Sequence, residues 1–139
     1  MSRSGYTDDC ENHGLYRGTV ARAIRGRRGQ QALRDFIAAL DAMPEKRLAS
    51  GSFTTENGVC SLGALAQARG VDVSDLNPPH PEDPWVDKEA VGRRLNIAEC
   101  MAAEVMYEND EANYYPETAE ARWQRMRAWA SARLLKVDP

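Results

Sequence analysis

Side chains with catalytic or metal-binding chemistry are few and widely spaced in this sequence. Two histidines and three cysteines occur among its 139 residues. Cys10 lies three residues before His13, as in half of a zinc site, but the sequence has no second Cys/His pair to complete such a site. The other histidine, His80, lies between prolines, where we expect no helix or strand to hold a general base. We therefore predict no metal site and no catalytic histidine.

The sequence also lacks the motifs of the common enzyme classes. It contains no hydrolase elbow of the form Gly-x-Ser-x-Gly, no phosphate loop, no dinucleotide fingerprint and no zincin helix. Glu104, Glu108 and Glu111 follow one another at helical spacing, and paired carboxylates can hold a hard cation or share acid–base work. Such a stripe is more typical of a solvated helix face. We predict a non-enzymatic protein without a cofactor, and a site assembled from scattered carboxylates is the enzymatic alternative.

Charge is distributed unevenly along the chain, although the formal net charge is only −3. Residues 1–34 carry seven arginines and three acids, residues 35–121 carry six basic and seventeen acidic groups, and residues 122–139 carry five basic groups and one acid. A local basic patch can bind an anionic partner even on an acidic protein. The arginines that we expect to bind a partner are Arg17, Arg22, Arg25, Arg27, Arg28, Arg34, Arg125 and Arg127. In the alternative arrangement, the basic ends dock on the acidic middle within the fold.

Aromatic residues alternate with arginines near the C-terminus, where Trp123, Arg125, Arg127 and Trp129 follow one another. Stacking on aromatic rings combined with phosphate contacts is a common way to bind single-stranded nucleic acid. The alternative is that both tryptophans anchor the core and that the arginines extend past them to solvent.

The spacing of apolar residues predicts a mainly α-helical fold of five to six helices. Residues 15–26 form the first helix, Gly26 ends it, and residues 25–29 form a basic turn. The second helix spans residues 30–43 and ends before Pro44. Further helices are predicted over residues 62–69, 85–95, 98–109 and 117–135, the last with Pro116 just before it.

The segments between these helices complete the predicted architecture. Glu56-Asn57-Gly58 is a hairpin signal, so we expect a two-stranded β-hairpin near residues 47–61. A proline-rich loop follows near residues 71–84. Together with the helices, these elements predict a compact α+β single domain over residues 15–139, preceded by a flexible N-terminal arm over residues 1–14.

Composition predicts a location in the cytoplasm. The N-terminus has no apolar region of the kind found in signal peptides, and no apolar run approaches the roughly 20 residues that span a bilayer. The odd number of cysteines is unlike a secreted disulfide scaffold, and Cys60 and Cys100 are expected to be buried as small apolar residues.

Three segments resemble small uncharacterised proteins of bacteriophages and prophages. They are residues 25–35, which contain an Arg-Gly-x-Arg-Gly-Gln element and are followed by residues 39–44, residues 58–65 with a Cys-x-Leu-Gly-Ala element, and residues 107–111 with an Asn-Asp element. The resembling region extends from about residue 17 to residue 130. The resemblance implies a bacterial host cell as the setting. It implies no reaction and therefore assigns no functional residues.

The resemblance, the missing catalytic motifs and the charge distribution together predict an accessory protein that binds a host macromolecule. A counter-defence inhibitor of the anti-CRISPR kind is the concrete form of this hypothesis, with a host protein or ribonucleoprotein complex as its partner and no membrane association. The alternative is a nucleic-acid-binding accessory or regulatory protein that uses the arginine-rich surface of residues 17–34.

Overall fold

A computed structural model describes residues 3–6, 13–56, 58–80, 82–113 and 115–136, with the backbone alone for residues 13 and 14. Within these ranges the chain forms six α-helices and one two-stranded antiparallel sheet around one hydrophobic core, which confirms the predicted fold class. The elements are α1 (His13–Arg25), α2 (Arg27–Ala42), β1 (Thr54–Thr55), β2 (Gly58–Val59), α3 (Ser61–Ala68), α4 (Lys88–Leu95), α5 (Glu99–Asp110) and α6 (Ala119–Arg133), with a 3-10 turn at Ser74–Leu76. None of these helices is long and apolar enough to cross a membrane.

Helix α5 lies at the centre of the domain. It packs against α1, α3, α4 and α6, and every residue from 101 to 106 is buried. A helix that is covered on most sides has no single apolar face, so its sequence lacks the periodicity of a surface helix. Its one carboxylate in this stretch, on Glu104, is consequently inside the protein.

Helix α2 has the regular apolar face that the sequence predicts. Leu33, Phe36 and Leu40 are buried, and the helix packs against α1, α3 and α6. Met43, which precedes Pro44, has an extended backbone and ends the helix, as expected for a residue before proline.

The corner between α1 and α2 is tighter than predicted. Gly26 alone separates the two helices, so Arg27 and Arg28 belong to the first turn of α2 and the predicted basic turn over residues 25–29 is wrong. Gly29 permits this geometry. A Cβ atom at Gly29 would lie 2.1 Å from the carbonyl oxygen of Ala23 and 2.6 Å from that of Ile24. Both atoms belong to the backbone of α1, so only glycine allows the two helices to approach this closely.

The hairpin is present but much shorter than residues 47–61. Thr54 pairs with Val59 and Thr55 with Gly58, while Asn57 lies outside the described residues. The preceding segment is held by burial of Leu48 and Phe53, which are both fully buried, and by a backbone hydrogen bond of 2.8 Å from the Ala49 N–H group to the Val59 carbonyl oxygen. Two paired residues per strand are too few to be stable without this packing.

The loop over residues 71–84 is attached to the hairpin through Asn77. The side-chain oxygen of Asn77 accepts a hydrogen bond from the N–H group of Phe53 at 2.7 Å, and its Nδ2 atom donates to the hydroxyl of Thr54 at 3.1 Å. The 3-10 turn lies within the same loop. The predicted loop is therefore partly structured and packs against the hairpin.

Two helices begin later than predicted because capping residues fix their first turns. Asp87 accepts a hydrogen bond from a backbone N–H group of α4 at 3.1 Å, so α4 begins at Lys88. Thr118 caps α6 in the same way at 3.0 Å, so α6 begins at Ala119. Pro116 therefore precedes the helix, as predicted, but by three residues.

Residues 3–6 are packed into the domain. The Arg3 side chain is buried, binds the Asp110 carboxylate with hydrogen bonds of 2.6 and 3.0 Å, and lies 5.2 Å from the ring centre of Phe53. An ion pair and an aromatic ring together stabilise a charge whose burial would otherwise be costly. This packing corrects the prediction of a flexible arm for residues 3–6. Residues 1, 2 and 7–12 of that arm lie outside the described residues.

The substitution Gly29→Ala tests the close crossing of α1 and α2. We expect the free energy of unfolding to decrease by about 1–3 kcal/mol, because the added methyl group must separate the two helices or distort the corner. Gly18→Ala is the matched control, since a Cβ atom at Gly18 in α1 approaches only the flexible end of Arg22 at 3.5 Å. That control should gain up to about 1 kcal/mol from its higher helix propensity.

Urea denaturation followed by circular dichroism measures both changes. A Gly29→Ala protein as stable as the wild type would show that glycine is not required at this crossing.

Candidate functional site

Five of the eight predicted arginines lie on α1 and α2, four of them within four residues of Gly26 and the fifth, Arg34, two turns into α2. We call this surface the basic corner and define it by Arg22 and Arg25 on α1 and Arg27, Arg28 and Arg34 on α2. All five residues are exposed. Within the described part of the chain, none of them forms an ion pair with a carboxylate. The basic corner therefore carries positive charge that no carboxylate of the described residues neutralises through an ion pair.

Hydrogen bonds within the basic corner go to neutral groups. Arg22 donates to the Thr19 hydroxyl at 3.2 Å, and Arg34 donates to the Gln31 side-chain oxygen at 3.1 Å. A longer contact of 3.5 Å joins Arg28 to the side-chain oxygen of Asn96. A guanidinium group has five N–H donors, so single bonds of this kind leave most donors available for a ligand.

The start of α2 adds backbone donors to the same surface. Gly26 precedes the helix and has no side chain to cap it. The first N–H groups of a helix lack partners within the helix, although the C-terminal end of α1, which lies one residue away, offsets the partial positive charge of this N-terminus. Arg27 and Arg28 are the first two residues of α2, so their side chains and these donors lie at one place.

The C-terminal arginines of the predicted set are engaged within the fold. Arg125 binds Glu117 with hydrogen bonds of 2.9 and 2.7 Å, and Arg127 binds Asp41 with bonds of 2.6 and 2.8 Å. The bond from Arg125 is the main cause of the lowered pKa of Glu117, and that from Arg127 lowers the pKa of Asp41. For these two residues the structure agrees with the alternative prediction, in which the basic ends of the chain dock on its acidic middle. They do not extend the basic corner.

Arg17, the eighth predicted residue, is paired with a buried carboxylate. It donates to both oxygens of Glu104 at 2.6 and 2.5 Å. Tyr6 also donates to Glu104 at 2.9 Å, and Tyr16 donates to the Tyr6 oxygen at 3.2 Å. We call these four residues the Glu104 cluster. The prediction of a solvated face is wrong for Glu104, whose side chain is 1% exposed, because α5 turns this carboxylate toward α1 and the N-terminal segment.

The two neighbouring carboxylates on α5 have opposite pKa shifts. Burial by itself would raise the pKa of Glu104, but the hydrogen bonds from Arg17 and Tyr6 lower that pKa below the ordinary glutamate value. Burial and the negative charge of Glu104 raise the pKa of the half-buried Glu108. Burial also raises the pKa of the Tyr6 hydroxyl. The Glu104 cluster thus joins the N-terminal segment, α1 and α5 through one ionised carboxylate whose two oxygens both accept hydrogen bonds.

The tryptophans of α6 pack toward the core. Trp129 is buried, and the Arg133 guanidinium lies 4.5 Å from its ring centre. Trp123 is half-buried and donates from its indole N–H group to the carbonyl oxygen of Leu40 at 3.2 Å. A nucleic-acid base can stack only on an exposed ring face. These positions therefore favour the core-anchor alternative for both tryptophans.

The remaining reactive side chains do not assemble into a site among the described residues. His80 is exposed in its loop, Cys60 is buried as predicted, and Cys100 is half-buried against the core. No group of three or more His, Cys, Asp or Glu residues in the described ranges could hold a metal ion. Of the predicted Cys10 and His13 pair, the first residue and the second side chain lie outside those ranges.

Comparison with known proteins found no matching family model, no matching curated protein and no matching solved structure. The resemblance to phage and prophage proteins accordingly stays a prediction from the sequence. The argument for function therefore depends on the geometry and charge of the basic corner.

Replacing Glu104 with glutamine tests the central ion pair, because E104Q keeps the size of the side chain and removes its charge. We expect the free energy of unfolding at pH 7 to decrease by about 1–3 kcal/mol. This is below the 3–5 kcal/mol of a fully buried pair because the Arg17 side chain is 40% exposed. Glu104 has a lowered pKa in the folded state, so its contribution is present above the ordinary value of 4.5 and is lost as pH falls through the folded pKa. Urea denaturation should show the stabilities of the wild type and E104Q converging as the pH falls below 4.5.

Glu108→Gln is the matched control one helical turn away, and its sign is opposite. The pKa of Glu108 is raised in the folded state, so ionisation of this carboxylate destabilises the fold at pH 7. E108Q should be at least as stable as the wild type at pH 7 and should lose that advantage as pH falls toward 4.5. Equal losses of stability in E104Q and E108Q at pH 7 would contradict the roles assigned to the two carboxylates.

Proposed function

We propose that this protein is a non-enzymatic binding protein that attaches through the basic corner to an anionic surface of a host macromolecule. We further propose that it acts as a counter-defence inhibitor of the anti-CRISPR kind, with a host protein or ribonucleoprotein complex as its target. One observation carries the proposal: the five arginines of the basic corner have no carboxylate partner among the described residues, whereas Arg17, Arg125 and Arg127 are all ion-paired.

The contrast matters because carboxylates are abundant in this chain. Aspartate and glutamate number 21 in the full sequence, against 18 lysines and arginines. Unpaired like charges at one corner repel one another and do not stabilise the fold. An anionic partner relieves that repulsion, and the acidic remainder of the protein disfavours binding of the same partner elsewhere. The charge distribution thereby supports an anionic partner that binds at the basic corner.

Arginine is well suited to this role. Its planar guanidinium group can bind a carboxylate or a phosphate through two parallel hydrogen bonds. Arginine is also enriched among the residues that contribute most to the affinity of protein interfaces. The resemblance to small phage proteins supplies the setting in which such a surface would bind a host defence complex.

The triple variant R27Q/R28Q/R34Q tests this proposal, because it removes three positive charges from the basic corner. The matched control is R47Q/R93Q/R127Q, which removes three positive charges from surface ion pairs that each contribute about 0–1 kcal/mol to stability. The wild type and the control should co-purify with a host effector complex and restore phage growth under CRISPR interference. The basic-corner variant should lose about tenfold or more in affinity for the complex.

Equal losses in the two triple variants would show that the basic corner is not the binding surface. A wild-type protein that neither binds an effector complex nor restores phage growth would exclude the counter-defence role.

Nucleic acid is the second candidate partner, and the uncapped start of α2 is the observation that favours it. Backbone N–H groups at a helix N-terminus bind phosphate well, and here Arg27 and Arg28 lie beside them. Binding to a duplex of mixed sequence should weaken linearly with the logarithm of salt concentration, with a slope of about 0.9 for each phosphate contacted. R27Q/R28Q/R34Q should reduce that slope by roughly two to three. No binding to DNA or RNA at low salt would exclude this candidate.

A further inference from the structure

The N-terminal segment, residues 3–6, is bound to the domain in the manner of a peptide ligand. It belongs to neither a helix nor the sheet. Three of its side chains each bind a carboxylate on α5 or just after it, 98 to 107 positions away along the chain. The pairs are Arg3 with Asp110 at 2.6 Å, Ser4 with Glu111 at 2.7 Å and Tyr6 with Glu104 at 2.9 Å.

Arg3 fills a pocket that matches the shape and charge of a guanidinium group. Its Nε and Nη2 atoms donate to the two oxygens of Asp110 at 2.6 and 3.0 Å, and its Nη1 atom donates to the Cys60 sulfur at 3.5 Å. The guanidinium carbon lies 5.2 Å from the ring centre of Phe53, and the side chain is 1% exposed. We call Asp110, Cys60 and Phe53 the arginine pocket. Two parallel hydrogen bonds to one carboxylate, together with an aromatic ring, favour arginine over lysine.

The carboxylate of the arginine pocket is oriented by bonds that do not involve Arg3. The Oδ1 atom of Asp110 also accepts from the Gly51 N–H group at 3.1 Å and from the Asn109 side chain at 2.8 Å. Asn109 in turn accepts from the N–H group and the hydroxyl of Ser61 at 3.0 and 2.7 Å. Asp110 is also the last residue of α5, where the partial negative charge of the helix end favours a cation. A site that the fold forms in advance binds its ligand at a lower entropic cost.

A second site, three positions further along the segment, holds an aromatic side chain. The ring centre of Tyr6 lies 4.9 Å from that of Tyr107 and 5.6 Å from that of Tyr16, and the latter ring meets it edge-on. Such pairs add to the stabilisation that burial alone provides. Gly5 connects the two sites with a backbone φ of +74°, a conformation that favours glycine. The domain therefore recognises a guanidinium group and an aromatic ring at a fixed spacing.

The charges around the arginine pocket favour a cationic occupant. Among the described residues, Asp110 forms an ion pair with Arg3 alone, and Glu111 forms none. Arg125 interacts with Asp110 only at longer range, because its side chain donates to other groups. Lys88 donates to the Arg3 carbonyl oxygen at 3.4 Å and lies outside the pocket itself. Loss of Arg3 would leave the largely buried Asp110 without its ion-pair partner, so another guanidinium group would bind favourably.

We propose that the arginine pocket recognises an arginine-containing peptide segment of a partner protein, and that residues 3–6 occupy the pocket as an attached competitor. The segment itself indicates the preferred ligand, which has an aromatic residue three positions after the arginine. An attached competitor acts at an effective concentration that is typically millimolar, so the partner binds only when it outcompetes residues 3–6. The inference goes beyond the proposed function, and the arginine pocket shares no residue with the basic corner, so either can fail without the other.

Calorimetric titration of the full-length variant R3A/Y6A with the peptide acetyl-Arg-Ser-Gly-Tyr-amide tests the proposal, because this variant vacates both sites and keeps their walls. The peptide should bind saturably at one site, and acetyl-Gln-Ser-Gly-Tyr-amide should bind about tenfold more weakly or not at all. The wild type should bind the arginine peptide at least about tenfold more weakly than R3A/Y6A, because its own segment competes. Adding D110N, which removes the charge and keeps the size, should also weaken binding about tenfold or more. Equal binding of the two peptides, or no binding to folded R3A/Y6A, would overturn the proposal.

Cys60 provides a second measurement that does not require R3A/Y6A to fold. In a C10S/C100S background Cys60 is the only thiol of the chain, and it is 0% exposed beside Arg3. Gly5→Ala disfavours the bound backbone of the segment, so alkylation of Cys60 by iodoacetamide should be about five- to tenfold faster. Gly70→Ala is the matched control, because Gly70 has a similar φ of +67° outside the segment and an added Cβ atom there meets nothing within 4 Å. That control should leave the alkylation rate in the absence of urea unchanged.

The dependence of alkylation on urea shows whether the segment can leave the pocket while the domain stays folded. Release of the segment alone exposes little surface, so the alkylation rate of the wild type should change little at low urea concentrations. A rate that rises with urea as steeply as global unfolding would mean that no partner can reach the pocket of the folded protein. That result, or equal rates in G5A and G70A, would overturn the proposal.

Discussion

Glu104 is a carboxylate inside the core, and the arrangement of the N-terminal half of the molecule depends on neutralising it. An unpaired charge in this position would be protonated or would destabilise the fold. Arg17 supplies the positive charge from α1, and Tyr6 supplies a further hydrogen bond from the N-terminal segment. The pairing therefore fixes α1 against α5. Once α1 is fixed, the arginines one and two turns beyond Arg17 have positions that are set by the Arg17–Glu104 pair. These positions do not depend on ion pairs of their own.

The close crossing at Gly29 in turn fixes the position of α2 relative to α1. Because α1 and α2 touch through their backbones, the exposed sides of the two helices form one continuous surface. The two carboxylates on α2 itself are engaged elsewhere, Asp41 with Arg127 and Asp35 with Arg69. The basic corner thus arises from where the acids are used as well as from where the arginines are placed.

Sequence patterns predicted the helix that buries one face and failed for the helix that is buried on most sides. Helix α2 alternates buried and exposed residues at helical spacing, so Leu33, Phe36 and Leu40 were identifiable. Helix α5 is buried on most sides, so its pattern could not show that Glu104 faces inward. The arginine-rich segments posed a different problem, because Arg27 and Arg127 look alike in sequence. Their difference lies in long-range pairing: Asp41 is 86 positions from Arg127 along the chain. Arg3 was missed because a short polar segment gives no periodic signal of burial.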